Sequence, residues 1–253
     1  MKILDTRKLR SFKKINEKRT LHMLTCYDYQ TACLLNETPL DLILVGDSVG
    51  NVILGHDHTI TVTLDMMILF ATAVKKGAPH KFVVADLPFG TYATLNNAIK
   101  NAIKLFQLSK VEALKLEGAF QFQLEIIERL TQIGIPVMGH IGLTPQSVHQ
   151  QGGYFTHGKD ASSKKRLLKE ALDLQKAGCF LIVLECVEES IAKEITETLS
   201  IPIIGIGSGK NTDGQVLVIN DLLKMGPGLP PKFCKPIADF YELKKKAILS
   251  YLK

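Results

Sequence analysis

Residues 42–48 read LILVGDS, in which four apolar residues are followed by glycine, an acid and a serine. The apolar part is short and continuous, which is typical of a parallel β-strand that is covered on both faces. Parallel strands are joined by long crossovers, usually helices, so repetition of this stretch predicts a β/α fold. The polar residues at its end are candidates for chemistry at the carboxyl end of the strand.

Similar short runs, rich in valine, isoleucine and leucine, recur along the chain and alternate with segments of helical period. The runs cover residues 21–26, 42–46, 82–85, 113–116, 136–139, 180–184, 203–206 and 215–219. Eight alternations in 253 residues favour a single (β/α)8 TIM barrel of the α/β class, although a doubly wound open sheet shows the same local pattern. We predict one barrel domain over residues 1–253, with an N-terminal and a C-terminal helix.

Helix boundaries are predicted from capping residues and from glycine. Helices over residues 65–76 and 119–133 should each stop at the glycine that follows. Thr94 and Ser163 are expected to cap the amino ends of two more helices. A further amphipathic helix, closing the base of the barrel, is predicted from the helical spacing of Leu4, Leu9, Phe12 and Ile15.

The chain carries a formal net charge of +6, with basic residues concentrated between Lys2 and Arg19 and at residues 244–246. No nucleic-acid-binding motif accompanies either group, so we predict a basic surface without a nucleic-acid or membrane partner. A non-catalytic basic barrel that binds RNA or an acidic protein is the alternative, and this charge is its only support.

Cysteine usage and hydropathy bear on the cellular compartment. The five cysteines include no Cys-x-x-Cys pair, which argues against a disulfide framework and a zinc ribbon. No apolar run approaches the ~20 residues of a membrane span, and the charged N-terminus lacks the apolar stretch of a signal peptide. We therefore predict a cytoplasmic protein with reduced thiols.

Polar residues stand at the carboxyl ends of five consecutive predicted strands. These residues are Asp47, Ser48, Asp86, Lys115, Glu117, His140 and Glu185. In a β/α barrel the active site lies at this end of the strands, so the side chains should converge on one mouth. Carboxylates gathered without neutralisation repel one another and lose hydration, and a bound cation is the simplest way to keep them ionised.

Oxygen ligands without cysteine or paired histidines indicate a hard ion such as Mg²⁺. We predict that Asp47, Asp86 and Glu117 are the metal ligands. Lys115 and Glu117 are two residues apart on one strand, so both should face the same side. A lysine beside a metal fits a substrate that is itself an anion.

Three other motifs allow a functional interpretation. His56 and His58 could bind a transition metal, but no third ligand lies nearby in sequence, which disfavours this site. Residues 205–209 read GIGSG and could cradle a phosphate, although a tight turn with positive φ is the favoured interpretation. Residues 142–160 form a segment too long for an ordinary loop, and we predict that it acts as a lid.

The sequence resembles the ketopantoate hydroxymethyltransferase family in seven ordered motifs. They are LVGDS at 44–48, GHD at 55–57, ADLPF at 85–89, KLEG at 115–118, GHIGLTPQ at 139–146, LEC at 184–186 and TDGQ at 212–215. The resemblance extends from about Met23 to Phe233. Ser208 departs from it, since the family usually has alanine there.

The resemblance implies a Mg²⁺-dependent TIM barrel that works as a cytoplasmic homodecamer. Its reaction transfers a hydroxymethyl group from 5,10-methylenetetrahydrofolate to 3-methyl-2-oxobutanoate (α-ketoisovalerate), through a Mg-stabilised enolate. The product is 2-dehydropantoate (ketopantoate), made in the first committed step of pantothenate biosynthesis. An alternative is a Mg-dependent barrel lyase or mutase that acts on another α-keto acid.

The resemblance also implies a role for each residue at the predicted mouth. Asp47, Asp86 and Glu117 correspond to the magnesium site. Substrate contacts are expected from Asp47, Ser48, Asp86, Lys115 and His140. Glu185 corresponds to the proton acceptor.

Overall fold

The computed structural model describes residues 4–14 and 19–253. Eight parallel strands form a closed barrel in chain order, and β1 pairs with β8 to complete it. The strands are β1 Leu21–Thr25, β2 Leu42–Val45, β3 Phe82–Asp86, β4 Ala113–Glu117, β5 Val137–Gly142, β6 Leu181–Glu185, β7 Ile203–Ile206 and β8 Gly214–Leu217. The predicted (β/α)8 TIM barrel is confirmed.

Helices follow the strands in alternation. They are α1 Thr6–Arg10, α2 Tyr29–Asn36, α3 Val49–Val52, α4 Leu64–Gly77, α5 Leu95–Ser109, α6 Gln121–Gln132, α7 Val148–Gln151, α8 Ala161–Lys176, α9 Glu189–Thr198, α10 Ile219–Leu222 and α11 Phe240–Tyr251. Two short 3-10 turns lie at Thr59–Thr61 and Pro145–Ser147. Within the described residues, no helix is long and apolar enough to cross a bilayer.

Most predicted boundaries agree with the structure, and one predicted cap is wrong. Thr94 caps α5 by accepting a hydrogen bond from the Asn97 amide. The N-cap of α8 is Asp160 rather than Ser163, because the Asp160 carboxylate accepts from the Ser163 amide at 2.9 Å. The Ser163 hydroxyl instead accepts a hydrogen bond from the Gly158 amide.

The interior of the barrel is filled by an inner apolar cluster contributed by every second strand residue. Its members include Leu21, Met23, Leu42, Leu44, Phe82, Val84, Ala113, Met138, Leu181, Val183, Ile204, Ile206 and Val216. Leu9 and Phe12, from the N-terminal segment, pack against this cluster, and Leu4 is partly buried on it. These contacts close the base of the barrel, as predicted, whereas Ile15 lies outside the described residues.

Candidate active site

The polar residues of the mouth continue the alternation of the inner cluster. In β3, Phe82 and Val84 point inward, so Asp86 points inward at the carboxyl end. The same alternation directs Lys115, Glu117, His140 and Glu185 into the mouth. All of the predicted site residues line one cavity of about 310 Å³, including Asp47 and Ser48, which follow β2. The predicted convergence on one mouth is confirmed.

Lys115 lies at the centre of this cluster and is almost completely buried. Its Nζ is 3.1 Å from Asp86 Oδ2 and 3.5 Å from Glu117 Oε1. Burial lowers the pKa of Lys115, but the charges of Asp86, Glu117 and Asp47 outweigh burial and raise the pKa above its ordinary value. Lys115 is therefore a firmly held ammonium group whose partners in this structure are the protein's own carboxylates.

His140 joins Glu185 to the rest of the cluster. Its Nδ1 is 3.2 Å from Glu117 Oε1, and its Nε2 is 3.3 Å from Glu185 Oε2. Burial and the charge of Lys115 lower the pKa of His140, but Glu117 and Glu185 outweigh them and raise it to about 9. Lys115 Nζ lies 3.2 Å from His140 Nδ1. When the ring is protonated, the two positive charges repel each other, and the neighbouring carboxylates offset this repulsion.

The carboxylates of the cluster are held in different electrostatic environments. Burial, followed by the charges of Asp86 and Glu117, raises the pKa of Asp47 well above its ordinary value. Burial also raises the pKa of Asp86, despite the opposing charge of Lys115. Burial acts in the same direction on Glu117, but Lys115 and His140 outweigh it and lower the pKa of that carboxyl.

The cluster lacks enough positive charge to neutralise its acids. When fully ionised, four carboxylates (Asp47, Asp86, Glu117 and Glu185) face two cationic groups (Lys115 and His140), which leaves two excess negative charges. In addition, Asp86 Oδ1 is buried without a hydrogen-bond partner among the described residues. Both features fit a divalent cation, which would favour the ionised carboxylates.

The arrangement is not a cage built from protein ligands alone. Within residues 4–14 and 19–253, no three His, Cys, Asp or Glu side chains converge closely enough to hold a metal ion by themselves. Mg²⁺ characteristically binds one or two carboxylates and keeps water or substrate oxygens in its other positions. The described residues that line the cavity supply carboxylate oxygens and no cysteine, a donor set that fits Mg²⁺ better than a structural transition metal.

Several residues near the site were not predicted from the sequence. Gln146 Nε2 donates a hydrogen bond to Asp47 Oδ2 at 2.7 Å, and the Tyr92 hydroxyl donates to Gln146 Oε1. The Tyr27 hydroxyl is 2.8 Å from Ser48 Oγ. Gln146 is part of the GHIGLTPQ motif, and Tyr27 follows β1 as Asp47 follows β2, but no pattern indicated the contacts of either tyrosine.

Two of the alternative motifs have a structural explanation. His56 Nδ1 is 2.6 Å from Thr61 Oγ1, whereas the His58 ring packs edge-on against His149, so the two histidines have separate partners. In the GIGSG run, Gly207 and Gly209 have positive φ values of 63° and 75°. The interpretation of this run as a tight turn is confirmed.

The long segment after β5 is partly helical. It contains the Pro145–Ser147 turn and α7, and Tyr154 beyond them lines the central cavity while 60% exposed. A larger cavity, of about 620 Å³, is lined by residues of this segment together with residues of α6 and α8, but by none of the strand-end acids. The role of the segment as a lid stays a prediction.

Comparison with known proteins gives a consistent result over most of the chain. A family model described as ketopantoate hydroxymethyltransferase matches residues 5–253. The 3-methyl-2-oxobutanoate hydroxymethyltransferase of Thermosipho africanus (strain TCF52B) is 51% identical over 236 residues, covering 93% of this chain and 88% of that protein. The enzyme of the same name from Thermotoga neapolitana is 48% identical over 242 residues, covering 95% and 89%.

Solved structures with the same fold are much more distant in sequence. A 2,3-dimethylmalate lyase of the PEP mutase/isocitrate lyase superfamily has a TM-score of 0.62 at 16% identity, covering 100% of this chain and 99% of that one. A phosphonopyruvate hydrolase in complex with oxalate and Mg²⁺ has a TM-score of 0.63 at 8% identity, covering 98% and 97%. At these identities the likeness shows a shared fold.

Proposed function

The chain belongs to the ketopantoate hydroxymethyltransferase family, and we propose that it makes 2-dehydropantoate from 3-methyl-2-oxobutanoate and 5,10-methylenetetrahydrofolate at the strand-end cluster. The chain is thus a hydroxymethyltransferase of pantothenate biosynthesis. The observation that carries the proposed chemistry is a buried cluster of four carboxylates with only two cationic partners. Such a cluster suits an enzyme that forms a carbanion beside a divalent cation.

We assign Asp47, Asp86 and Glu117 to the magnesium ion, with Asp47 and Glu117 acting partly through bridging waters, and Lys115 and Ser48 to the substrate carboxylate. When bound, the ion supplies positive charge that stabilises the enolate oxygen of the keto acid. Lys115 Nζ remains charged within the mouth and can shift from Asp86 towards the carboxylate of the substrate. The Ser48 hydroxyl is kept at the rim of the cavity by its contact with the Tyr27 hydroxyl.

We assign Glu185 as the base that removes the proton from C3 of the keto acid. It lines the cavity from β6, outside the three proposed metal ligands, and its side chain is 18% exposed. The charged His140 ring, whose Nε2 is 3.3 Å from Glu185 Oε2, forms an ion pair with Glu185 that keeps its carboxylate beside the cavity. The two bonds from the folate methylene carbon to nitrogen break, water supplies the hydroxyl oxygen on that carbon, and C3 forms a bond to the same carbon. The two freed nitrogens take up the proton removed from C3 and one proton of the water.

The assignment of Glu185 is tested by the variant Glu185→Gln, which keeps the size and removes the basicity. Exchange of the C3 proton should fall by ~10²–10⁴, the usual range for a positioned general base. Binding of Mg²⁺ and 3-methyl-2-oxobutanoate, measured by calorimetry, should persist because the proposed ligands are unchanged. Glu188→Gln is a matched control, since Glu188 caps α9 outside the cavity lining and should leave exchange near wild type.

Near wild-type exchange in Glu185→Gln, with binding intact, would show that another group accepts the proton. His140 would then be the next residue to replace. A parallel loss of binding and exchange would instead indicate that Glu185 holds the site together through His140.

We also propose that the chain forms a homo-oligomer, and the family resemblance implies a decamer. Helix α11 buries none of its residues, and the apolar residues near the end of the sequence, which we expect to mediate assembly, are largely exposed: Ile237, Ile248 and Leu252, with Phe240 intermediate. Sedimentation should show a species well above 28.0 kDa, and Ile248→Glu should weaken it because a charge at an apolar interface loses hydration. A wild-type monomer would contradict this proposal.

A further inference from the structure

Gln146 contacts two of the three carboxylates assigned to magnesium, and we propose that it is a positioning residue that sets the affinity of the site for the ion. The inference rests on the proposed function, since it concerns the same metal site. Gln146 is 5% exposed and does not line the central cavity. It therefore acts through the carboxylates rather than on the substrate.

Gln146 links Asp47 and Glu117 through two different donors. Its side-chain Nε2 donates to Asp47 Oδ2 at 2.7 Å and to the Leu87 carbonyl at 3.1 Å. Its backbone amide donates to Glu117 Oε2 at 3.1 Å. One residue thus fixes the orientation of carboxylates from two different parts of the barrel, after β2 and at the end of β4.

Asp47 and the Leu87 carbonyl, which can only accept, determine which way the Gln146 amide points. The Tyr92 hydroxyl completes this arrangement by donating a hydrogen bond to Gln146 Oε1. A flipped amide would place its carbonyl oxygen against the Asp47 carboxylate. Tyr92 does not line the central cavity, and although its hydroxyl also lies near the Glu117 backbone, its side-chain link to the Asp47 carboxylate is the hydrogen bond to Gln146.

Removing these contacts should loosen the metal site rather than destroy it. Asp47 would keep its place after β2, but its carboxylate would lose the donor that selects one rotamer. Groups that orient metal ligands from behind contribute roughly 10–100-fold to metal affinity. Because the ligands themselves remain, a higher concentration of Mg²⁺ should restore turnover.

The experiment is a calorimetric titration of Mg²⁺ into the full-length protein and its variants. Gln146→Ala should bind Mg²⁺ about 10–100-fold more weakly, and Tyr92→Phe should show a smaller loss in the same direction. Gln151→Ala is the matched control, because Gln151 lies in the same segment and donates to Thr144 Oγ1, away from the carboxylates. Its affinity should stay within about twofold of wild type. Turnover of Gln146→Ala should recover at saturating Mg²⁺.

Equal Mg²⁺ affinity in wild type, Gln146→Ala and Tyr92→Phe would overturn the inference and leave the proposed function standing. If Gln146→Ala does not fold, Tyr92→Phe decides alone, since it removes one hydroxyl and keeps the ring. A wild-type protein that binds no Mg²⁺ would overturn the proposed metal site and this inference with it. Turnover of Gln146→Ala that stays low at saturating Mg²⁺ would show that Gln146 does not act through metal affinity.

Discussion

The two ends of the barrel each hold a lysine and an aspartate 3.1 Å apart, yet the pairs behave in opposite ways. At the base, burial lowers the pKa of Lys13 despite the charge of Asp213. At the mouth, burial of Lys115 is outweighed by three carboxylates, and its pKa rises. The distance between the lysine and the aspartate is therefore the same in both pairs, and the number of surrounding charges determines the direction in which the lysine pKa shifts.

The difference also appears in how the polar atoms are partnered. At the base, Asp213 Oδ2 accepts from the Ile203 amide at 2.8 Å, and Lys13 Nζ also donates to the Leu199 carbonyl. At the mouth, Asp86 Oδ1 is buried without a partner among the described residues. The polar atoms of the pair at the base have partners within the protein, whereas the charge at the mouth suits the proposed cation and substrate.

The largest expected effect is the loss of turnover in the variant Asp86→Ala. Turnover should fall by roughly 10²–10³-fold or more, because a group that supports stabilisation of developing charge is removed. Calorimetry should show weaker binding of Mg²⁺ and keto acid together, while circular dichroism stays native.

Asp213→Ala is the matched change at the base. It should cost about 1–3 kcal/mol of unfolding free energy, because the Ile203 amide loses its acceptor, and it should leave turnover of the folded protein unchanged. If Asp86→Ala keeps metal and substrate binding, or if Asp213→Ala loses turnover without unfolding, the contrast between the two ends is wrong.

The next prediction concerns a residue at the base of the barrel, whose replacement affects only the free energy of unfolding. Phe180 is fully buried just before β6, and its ring centroid is 5.6 Å from that of Phe82. Phe180→Ala should lower the free energy of unfolding by about 3–5 kcal/mol, measured by denaturant titration. Turnover per folded molecule should be preserved, and a large loss of turnover at full occupancy of the native state would count against the separation of roles.

The smallest effect expected is a pH dependence of stability that originates at the mouth. The pKa of His140 is raised from 6.5 to about 9, so its ion pairs with Glu117 and Glu185 stabilise the fold fully below pH 6.5. This contribution, of the order of 1–3 kcal/mol, should be lost as the pH rises through 9. Denaturant titrations at several pH values should show the loss in wild type, and His140→Gln should lack it.

Much of the mouth could be predicted because strand alternation and strand ends are local properties of the sequence. The inward orientation of Asp86 follows from that of Phe82 and Val84, and the inward orientation of Lys115 and Glu117 follows from that of Ala113. The contacts of Gln146 with Asp47 and of Tyr92 with Gln146 could not be placed, because both residues lie in connecting segments whose paths depend on tertiary packing. The predicted cap at Ser163 is wrong for a local reason, since Asp160, an equally good capping residue, lies three residues earlier and begins the helix there.

We propose that the mouth of the barrel generates a carbanion from the keto acid with the help of a divalent cation. The most direct test is deuterium exchange at C3 of 3-methyl-2-oxobutanoate, followed by NMR in heavy water with wild-type protein. Exchange should require Mg²⁺, stop on chelation and resume when the ion is restored, and the hydroxymethyl product should form only when 5,10-methylenetetrahydrofolate is added. Exchange that persists under chelation, its absence at saturating Mg²⁺, or consumption of the keto acid without folate would contradict the account.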